Sequence, residues 1–279
     1  MAVWDVAMNV EGAAVEHGLG RSIMPRFHAG WSIGSVTGAL LGAGLVAWGL
    51  PMAWQQLGAG TDMAVLALAG TRDFLPATAD YAEDARPSGS VWSAWREPRT
   101  LLIGLMMLSL ALTEGTANDW LAVALIDGYD LPHWAGVAGF GVFVTAMTTG
   151  RFVGPVILDR HGRAPVRWTT MAMAGVGVLL TVLAGTPALA LVGVALWGLG
   201  ASLGFPVGIS AASDEPAHAP ARVSVVTSIA YTAFLAGPPF LGFVAEHVGT
   251  LRALLVIALL LIPSALVVPA ARQPHRASA

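Results

Sequence analysis

Long apolar runs separated by short polar interruptions set the pattern of this chain. Continuous apolar stretches occupy approximately 27–50, 52–71, 100–118, 132–151, 167–185, 188–210, 222–245 and 250–270. A helix needs about 20 mostly apolar residues to cross a hydrocarbon core ~30 Å thick, and each run reaches that length. Strands of a membrane barrel would alternate apolar and polar positions. These runs do not, so the pattern predicts an all-α, polytopic membrane protein. The 52–71 run is the weakest, interrupted by Gln55, Gln56, Thr61 and Asp62. A carboxyl within a span is a functional hypothesis by default, but here a shallow or irregular helix is expected. Residues 1–10 are apolar yet cover only half a membrane, and they lack the charged start and small-residue cleavage site of a signal peptide. They read as the end of a helix whose beginning is absent, from a fragment or a start assigned too late.

Composition agrees. Hydrophobic residues make up 56% of the chain and charged residues 11%, against roughly a quarter charged in soluble domains. With no cysteine, disulfide frameworks and thiolate metal sites are excluded. No basic run suggests nucleic acid, and neither H-E-x-x-H nor G-x-x-x-x-G-K-[ST] occurs, so no cofactor, metal or ATP-driven machinery is expected. Gly30-Trp31-Ser32-Ile33-Gly34 matches the hydrolase G-x-S-x-G pattern. That chemistry requires a strand-to-helix elbow, whereas this is part of a glycine-laced helix, so no enzyme is expected.

Every basic residue besides histidine is an arginine, which suggests a bacterial source. The connections 10–26, 71–99, 151–167 and 211–222, with the tail after 271, hold every arginine except Arg252. The longest connection on the other side carries Asp119, Asp127 and Asp130. The positive-inside rule places the arginine side, and the C-terminus, in the cytoplasm, with the spans in the inner membrane. This divides the chain into 1–71, a partial first bundle; 72–99, a linker rich in Pro, Ser and charge; 100–271, a six-helix bundle; and 272–279, a tail.

Glycines recur every four residues at Gly30, Gly34, Gly38 and Gly42, and again at Gly200, Gly204 and Gly208. Such faces let helices approach closely in lipid, either as fixed packing or as a sliding surface. Trp31, Gly38 and Gly42 are echoed by Tyr231, Gly237 and Gly242, a faint parallel repeat of the kind found in transporters. The densest run of charge and glycine is Gly150-Arg151-Phe152-Val153-Gly154-Pro155-Val156-Ile157-Leu158-Asp159-Arg160-His161-Gly162-Arg163.

This run resembles the signature loop of the major facilitator superfamily, which lies between the second and third helices of each six-helix half. Pro155 stands where the pattern has glycine, with Gly154 one residue earlier, and Ala164 replaces a usual basic residue. Asp5 to Asn9 followed by Phe27 to Ser32 resembles the fourth and fifth helices of bacterial fucose-permease-like members. Glu114-Gly115 with Asn118-Asp119-Trp120 resembles the seventh, and Ala236 to Pro239 with Gly242-Phe243 the eleventh. The resemblance covers the chain and implies a start within the fourth of twelve helices.

It further implies a monomeric secondary transporter for a small polar solute such as a sugar, with protons as the coupling ion. A drug or metabolite efflux antiporter and a non-transporting truncated remnant are the alternatives. The family's drug antiporters carry Gly-Pro in helix five, and the 27–50 helix has no proline. The loop residues Gly150, Arg151, Gly154, Asp159, Arg160, Gly162 and Arg163 are the candidate gate brace. Asp159 is expected to approach the positive N-terminal end of the 27–50 helix, near Arg26.

Glu114 pairs with Asn118 at helical spacing, as does Asp5 with Asn9. A carboxyl inside a span is costly unless it faces a cavity or a partner, so both pairs are candidates for proton coupling and solute binding. His28, Trp31 and Ser35 share a face that could stack on a solute. Tyr231, Phe234, Trp197 and Phe205 are further aromatic candidates.

Overall fold

The computed structural model describes residues 2–73 and 90–271, with the side chains of residues 2–6, 35, 39–40, 42–44, 46–47 and 73 excepted. Much of the expected linker, the tail after 271, and the side chains of Asp5 and Ser35 therefore lie outside the described residues. The described residues form helices and turns only. In chain order these are α1 (Ala2–Leu19), α2 (Met24–Ala47), α3 (Met52–Gly70), the single turn α4 (Val91–Ala94), α5 (Pro98–Tyr129), α6 (His133–His161), α7 (Arg163–Leu183), α8 (Pro187–Ala201), α9 (Gly204–Ala212), α10 (Ala219–Val248), α11 (Thr250–Ala253) and α12 (Leu255–Leu266). Pro98–Tyr129, His133–His161, Arg163–Leu183, Pro187–Ala212 and Ala219–Val248 are each long and apolar enough to cross a membrane.

The helices outrun the apolar stretches that announce them. The expected opening loop at 10–26 shrinks, because α1 continues to Leu19. The expected loop at 151–167 reduces to Gly162, whose φ of 75° turns the chain between α6 and α7, a backbone region that favours glycine. The acidic connection likewise shortens, since α5 runs through Asp119 and Asp127 before Asp130 ends it with a φ of 52°. Hydropathy marks the lipid-facing length, whereas helical hydrogen bonding continues into polar surroundings.

Two expectations about glycine change. On α2, an added Cβ at Gly30, Gly34 or Gly38 would meet nothing within 4 Å. Gly200, Gly204 and Gly208 do mark close contacts, but not along one continuous face. Gly200 lies against Thr170 and Ala174 of α7, while Gly204 and Gly208 lie against Leu110 and Met107 of α5. The tightest approach is that of α7 to α8. A Cβ on Gly177 would lie 2.7 Å from Gly193 O, and one on Gly193 would lie 2.5 Å from Thr181 N. α3, expected to be shallow or irregular, is an uninterrupted helix with no buried residue and Asp62 exposed.

The stretch expected as one helix over 188–210 is broken between α8 and α9. Pro206 explains the break: it has no N–H, and its ring crowds the carbonyl of the residue four positions earlier, Ser202. Ser202 O is thus left without its helical partner, and Leu203 takes a φ of −100° and ψ of 5°. A freed carbonyl inside a bundle needs another donor.

Candidate functional site

That donor is an arginine. Arg151 lies inside α6, 1% exposed, and its Nε–H donates to Ser202 O at 3.2 Å. Its Nη1 donates to Ser32 Oγ at 2.6 Å and to His28 O at 3.4 Å. Its Nη2 donates to both carboxylate oxygens of Glu114 at 2.9 Å. A guanidinium has five N–H donors, and this set uses all of them. Glu114 sits halfway along α5, a helix of 32 residues and hence about 48 Å long. Its side chain keeps 10% exposure, so the pair is accessible from the carboxylate side and sealed on the arginine side.

Arg151 therefore joins elements far apart in sequence: α5 through Glu114, the α8–α9 break through Ser202, and α2 through Ser32 and His28. Charge-assisted hydrogen bonds of this kind are about twice as strong as neutral ones. The pair's stability is asymmetric. Desolvation offsets much of the Coulomb attraction, but removing one partner alone costs about 3–5 kcal/mol, because a charge is left buried and unpaired.

An aromatic wall flanks the pair. His28 packs on Phe205 with ring centroids 5.5 Å apart, Phe205 on Tyr231 at 6.3 Å, and Tyr231 on Phe234 at 6.2 Å. The Phe234 ring abuts Gly115, where an added Cβ would come within 3.0 Å. The wall thus starts at the residue whose carbonyl contacts Arg151 and ends beside Glu114. Trp197 is not part of it, being fully buried against Phe143 at 5.5 Å in a T-shaped contact.

At the arginine-rich end, carboxylates close the start of α2. Asp159, near the end of α6, accepts a hydrogen bond from Ser22 N at 3.0 Å. Glu16, near the end of α1, accepts from Ile23 N at 2.8 Å and Met24 N at 2.7 Å, and Ser210 Oγ of α9 donates to its other oxygen. The first N–H groups of a helix lack intrahelical partners and carry partial positive charge, so two carboxylates from different elements satisfy both needs. Arg163 forms an ion pair with Asp214 at 2.5 Å, and Arg99 shares that carboxylate at 2.5 Å. Arg222 bridges Glu97 at 2.6 Å and Glu215 at 3.2 Å. Desolvation would push the Glu97 carboxyl up, but hydrogen bonds from Arg222 and Thr100 outweigh it and hold the group below its ordinary value.

Several sequence candidates are placed differently from expectation. Arg151, read as part of a gate loop, is a buried member of the Glu114 cluster. Gly150 and Gly154 are close-approach positions, where a Cβ would collide with Ser202 and Leu203 respectively. Arg160 is exposed. Trp31 is 60% exposed, turned away from the face that buries Ser32 beside His28. Asn118 is exposed, one turn beyond Glu114, and Asn9 is buried.

Ser202 and Glu16 were not singled out, and Ser32 was read only as part of a hydrolase-like pattern and of the Phe27–Ser32 run. The usable signals were Pro206, which predicts a free carbonyl at Ser202, and an acid shortly before a helix start. Among the described residues, no group of three or more His, Cys, Asp or Glu is placed to hold a metal ion. A separate groove of about 270 Å³ between α5, α10 and α12 is lined by apolar residues with the hydroxyls of Ser109 and Thr232, and carries no charge.

Residues 23–233 match the Major Facilitator Superfamily. An uncharacterized MFS-type transporter of Yersinia pestis is 31% identical over 94% of this chain and 67% of its own length. An uncharacterized transporter of Sinorhizobium fredii is 33% identical over 87% of this chain and 63% of its own. A crystal structure of the MFS transporter FucP in the outward conformation superposes with a TM-score of 0.60 at 15% identity, covering 66% of this chain and 46% of that one. A variant of the E. coli fucose:proton symporter FucP gives 0.56, also at 15% identity, over 66% and 45%. The chain therefore spans about two thirds of the curated relatives and under half of the solved chains.

Proposed function

The chain belongs to the major facilitator superfamily, and from that premise we propose that it forms part of a secondary active transporter. It moves a small polar solute, such as a sugar, across the cytoplasmic membrane by alternating access, with protons as the coupling ion. α1 to α3 belong to the first bundle, residues 72–99 are the linker, and α5 to α12 form the second bundle. The arginine-rich end faces the cytoplasm, and the carrier is a monomer.

The observation that carries this reading is the Glu114–Arg151 pair, with Glu114 buried halfway along α5 and Arg151 tied to α2. A carboxylate that holds a cation shared by both bundles can report its protonation state to their interface. Protonating Glu114 weakens its hold on Nη2 while Ser32 and His28 O still hold Nη1, so the balance of contacts across the interface changes. The contacts Asp159–Ser22 and Glu16–Ser210 support a conformation closed at the cytoplasmic end. The similarity to an outward conformation of FucP agrees with that.

The test is uptake of labelled solutes into proteoliposomes under an imposed pH gradient. Glu114→Gln is expected to abolish proton-driven uptake while preserving solute exchange. Unaltered pH dependence in that variant would remove Glu114 from the coupling role, and failure of the unaltered protein to carry any solute would remove transport itself.

A further inference from the structure

We propose that the solute is a monoanion bearing a carboxylate, bound by Arg151 in place of Glu114 and carried together with one proton. This rests on the transporter reading above and narrows its substrate class. All five guanidinium donors of Arg151 have partners, and only those on Nη2 are held by a group that can change its charge. The others go to two backbone carbonyls and a hydroxyl, which stay neutral. When Glu114 accepts a proton, the buried site acquires a net positive charge with no counter-ion. A neutral sugar cannot correct that imbalance. A solute carboxylate can, by accepting the two Nη2 hydrogen bonds that Glu114 gave up.

The surrounding groups leave this exchange to the pair. The ionisable side chain in contact with Glu114 is Arg151 from α6, and His28 of α2 and Tyr231 of α10 belong to the aromatic wall, packed on Phe205 and Phe234. α8, α9 and α12 carry no ionisable side chain. On α10, Arg222 is held by Glu97 and Glu215 at the arginine-rich end, while Glu246 and His247 lie at the other end of the helix. Arg252 of α11 also lies at that other end. Approach is from the Glu114 side, where the carboxylate keeps 10% exposure against 1% for Arg151. The aromatic wall from His28 to Phe234 offers ring faces for the rest of the solute.

The exchange also enforces coupling. Arg151 without either carboxylate would be a buried, unpaired cation, a costly state. Release of the solute into the cytoplasm therefore requires Glu114 to lose its proton and return to Nη2. One proton and one monoanion cross together, so the cycle moves no net charge. Uptake should follow the pH gradient and ignore the membrane potential.

Formate, the smallest carboxylate, is the probe, added to the full chain in detergent micelles at constant ionic strength with chloride as the control. In Glu114→Gln, formate at about 50 mM should raise the unfolding midpoint by roughly 3 °C over chloride. The double variant Glu114→Gln with Arg151→Met should show no such shift. Equal midpoints in formate and chloride for the single variant would overturn the proposal. If that variant does not fold, Glu114→Ala takes its place: a formate shift over chloride supports the proposal, and equal midpoints overturn it. A formate site in a protein that carries no solute would sink the transporter reading and leave the anion site standing. Proton-driven uptake of a neutral sugar with no formate effect would do the reverse.

Discussion

Arg151→Met is the substitution with the most informative consequence. Methionine fills much of the same volume, but the change removes every donor that Arg151 supplies to Glu114, Ser32, His28 O and Ser202 O. The Glu114 carboxylate is left with 10% side-chain exposure and no counter-charge. Truncating one member of such a pair costs about 3–5 kcal/mol, or roughly 6–20 °C in midpoint for a chain of this size. Glu114→Gln strands the cation instead and should cost a similar amount. The double variant removes both charges and should lie within about 1–2 kcal/mol of the unaltered protein, because replacing a whole buried pair with uncharged groups is often neutral. The assay is thermal unfolding in micelles, followed by tryptophan fluorescence, as a double-mutant cycle. If the double variant loses the sum of the two single losses, the two side chains do not act as a pair and the site argument fails.

Gly177→Leu should be among the most damaging substitutions in the helical bundle. Its side chain would be driven into Gly193 O and Trp197 Cα, at 2.7 and 2.8 Å from the first added carbon. Backbone cannot yield as a side chain can, so a loss of at least about 3 kcal/mol is expected in the same unfolding assay. Asp159→Asn keeps a hydrogen-bond acceptor for Ser22 N but loses the charge at the start of α2, worth about 0.3–1 kcal/mol. Transport should slow by about two- to fivefold with protein abundance unchanged; equal transport in vesicles would reduce Asp159 to an anchor. Glu16→Ala removes the acceptor for Ile23 N and Met24 N and should cost about 1–2 kcal/mol in midpoint. Glu97 is held below its ordinary value, because hydrogen bonds from Arg222 and Thr100 outweigh desolvation, so its stabilising contribution is full above that ordinary value and disappears as pH falls through the lower folded value. Arg222→Gln should flatten that acid-side loss, as read from midpoints across an acid titration.

The helical class and the family were legible because they depend on local pattern. A run of about 20 apolar residues has few other fates in a chain so poor in charge, and the turn at Gly162 with Asp159 and Arg163 around it lies within one short segment. The position of Asp159 beside the start of α2 was implied by the family resemblance and not by local pattern, and there it accepts from Ser22 N, next to the unpaired N–H groups of a helix start. Pro206 was a local signal for the α8–α9 break that the reading of 188–210 as one helix passed over, and the partner for the carbonyl it frees could not be read locally.

Tertiary structure alone decided the character of Arg151. By sequence it belongs to a charged loop, because hydropathy scores an arginine by its cost in lipid. That cost disappears only when Glu114, 37 positions earlier, and Ser32, 119 positions earlier, meet it in space. The same holds for Ser32 and Trp31: adjacent in sequence, they point in different directions from α2, and only the packing of α2 against α6 determines which one is buried. Local pattern could place the spans, but the site arises from pairings between spans, where a buried charge becomes stable only when its distant partner is present.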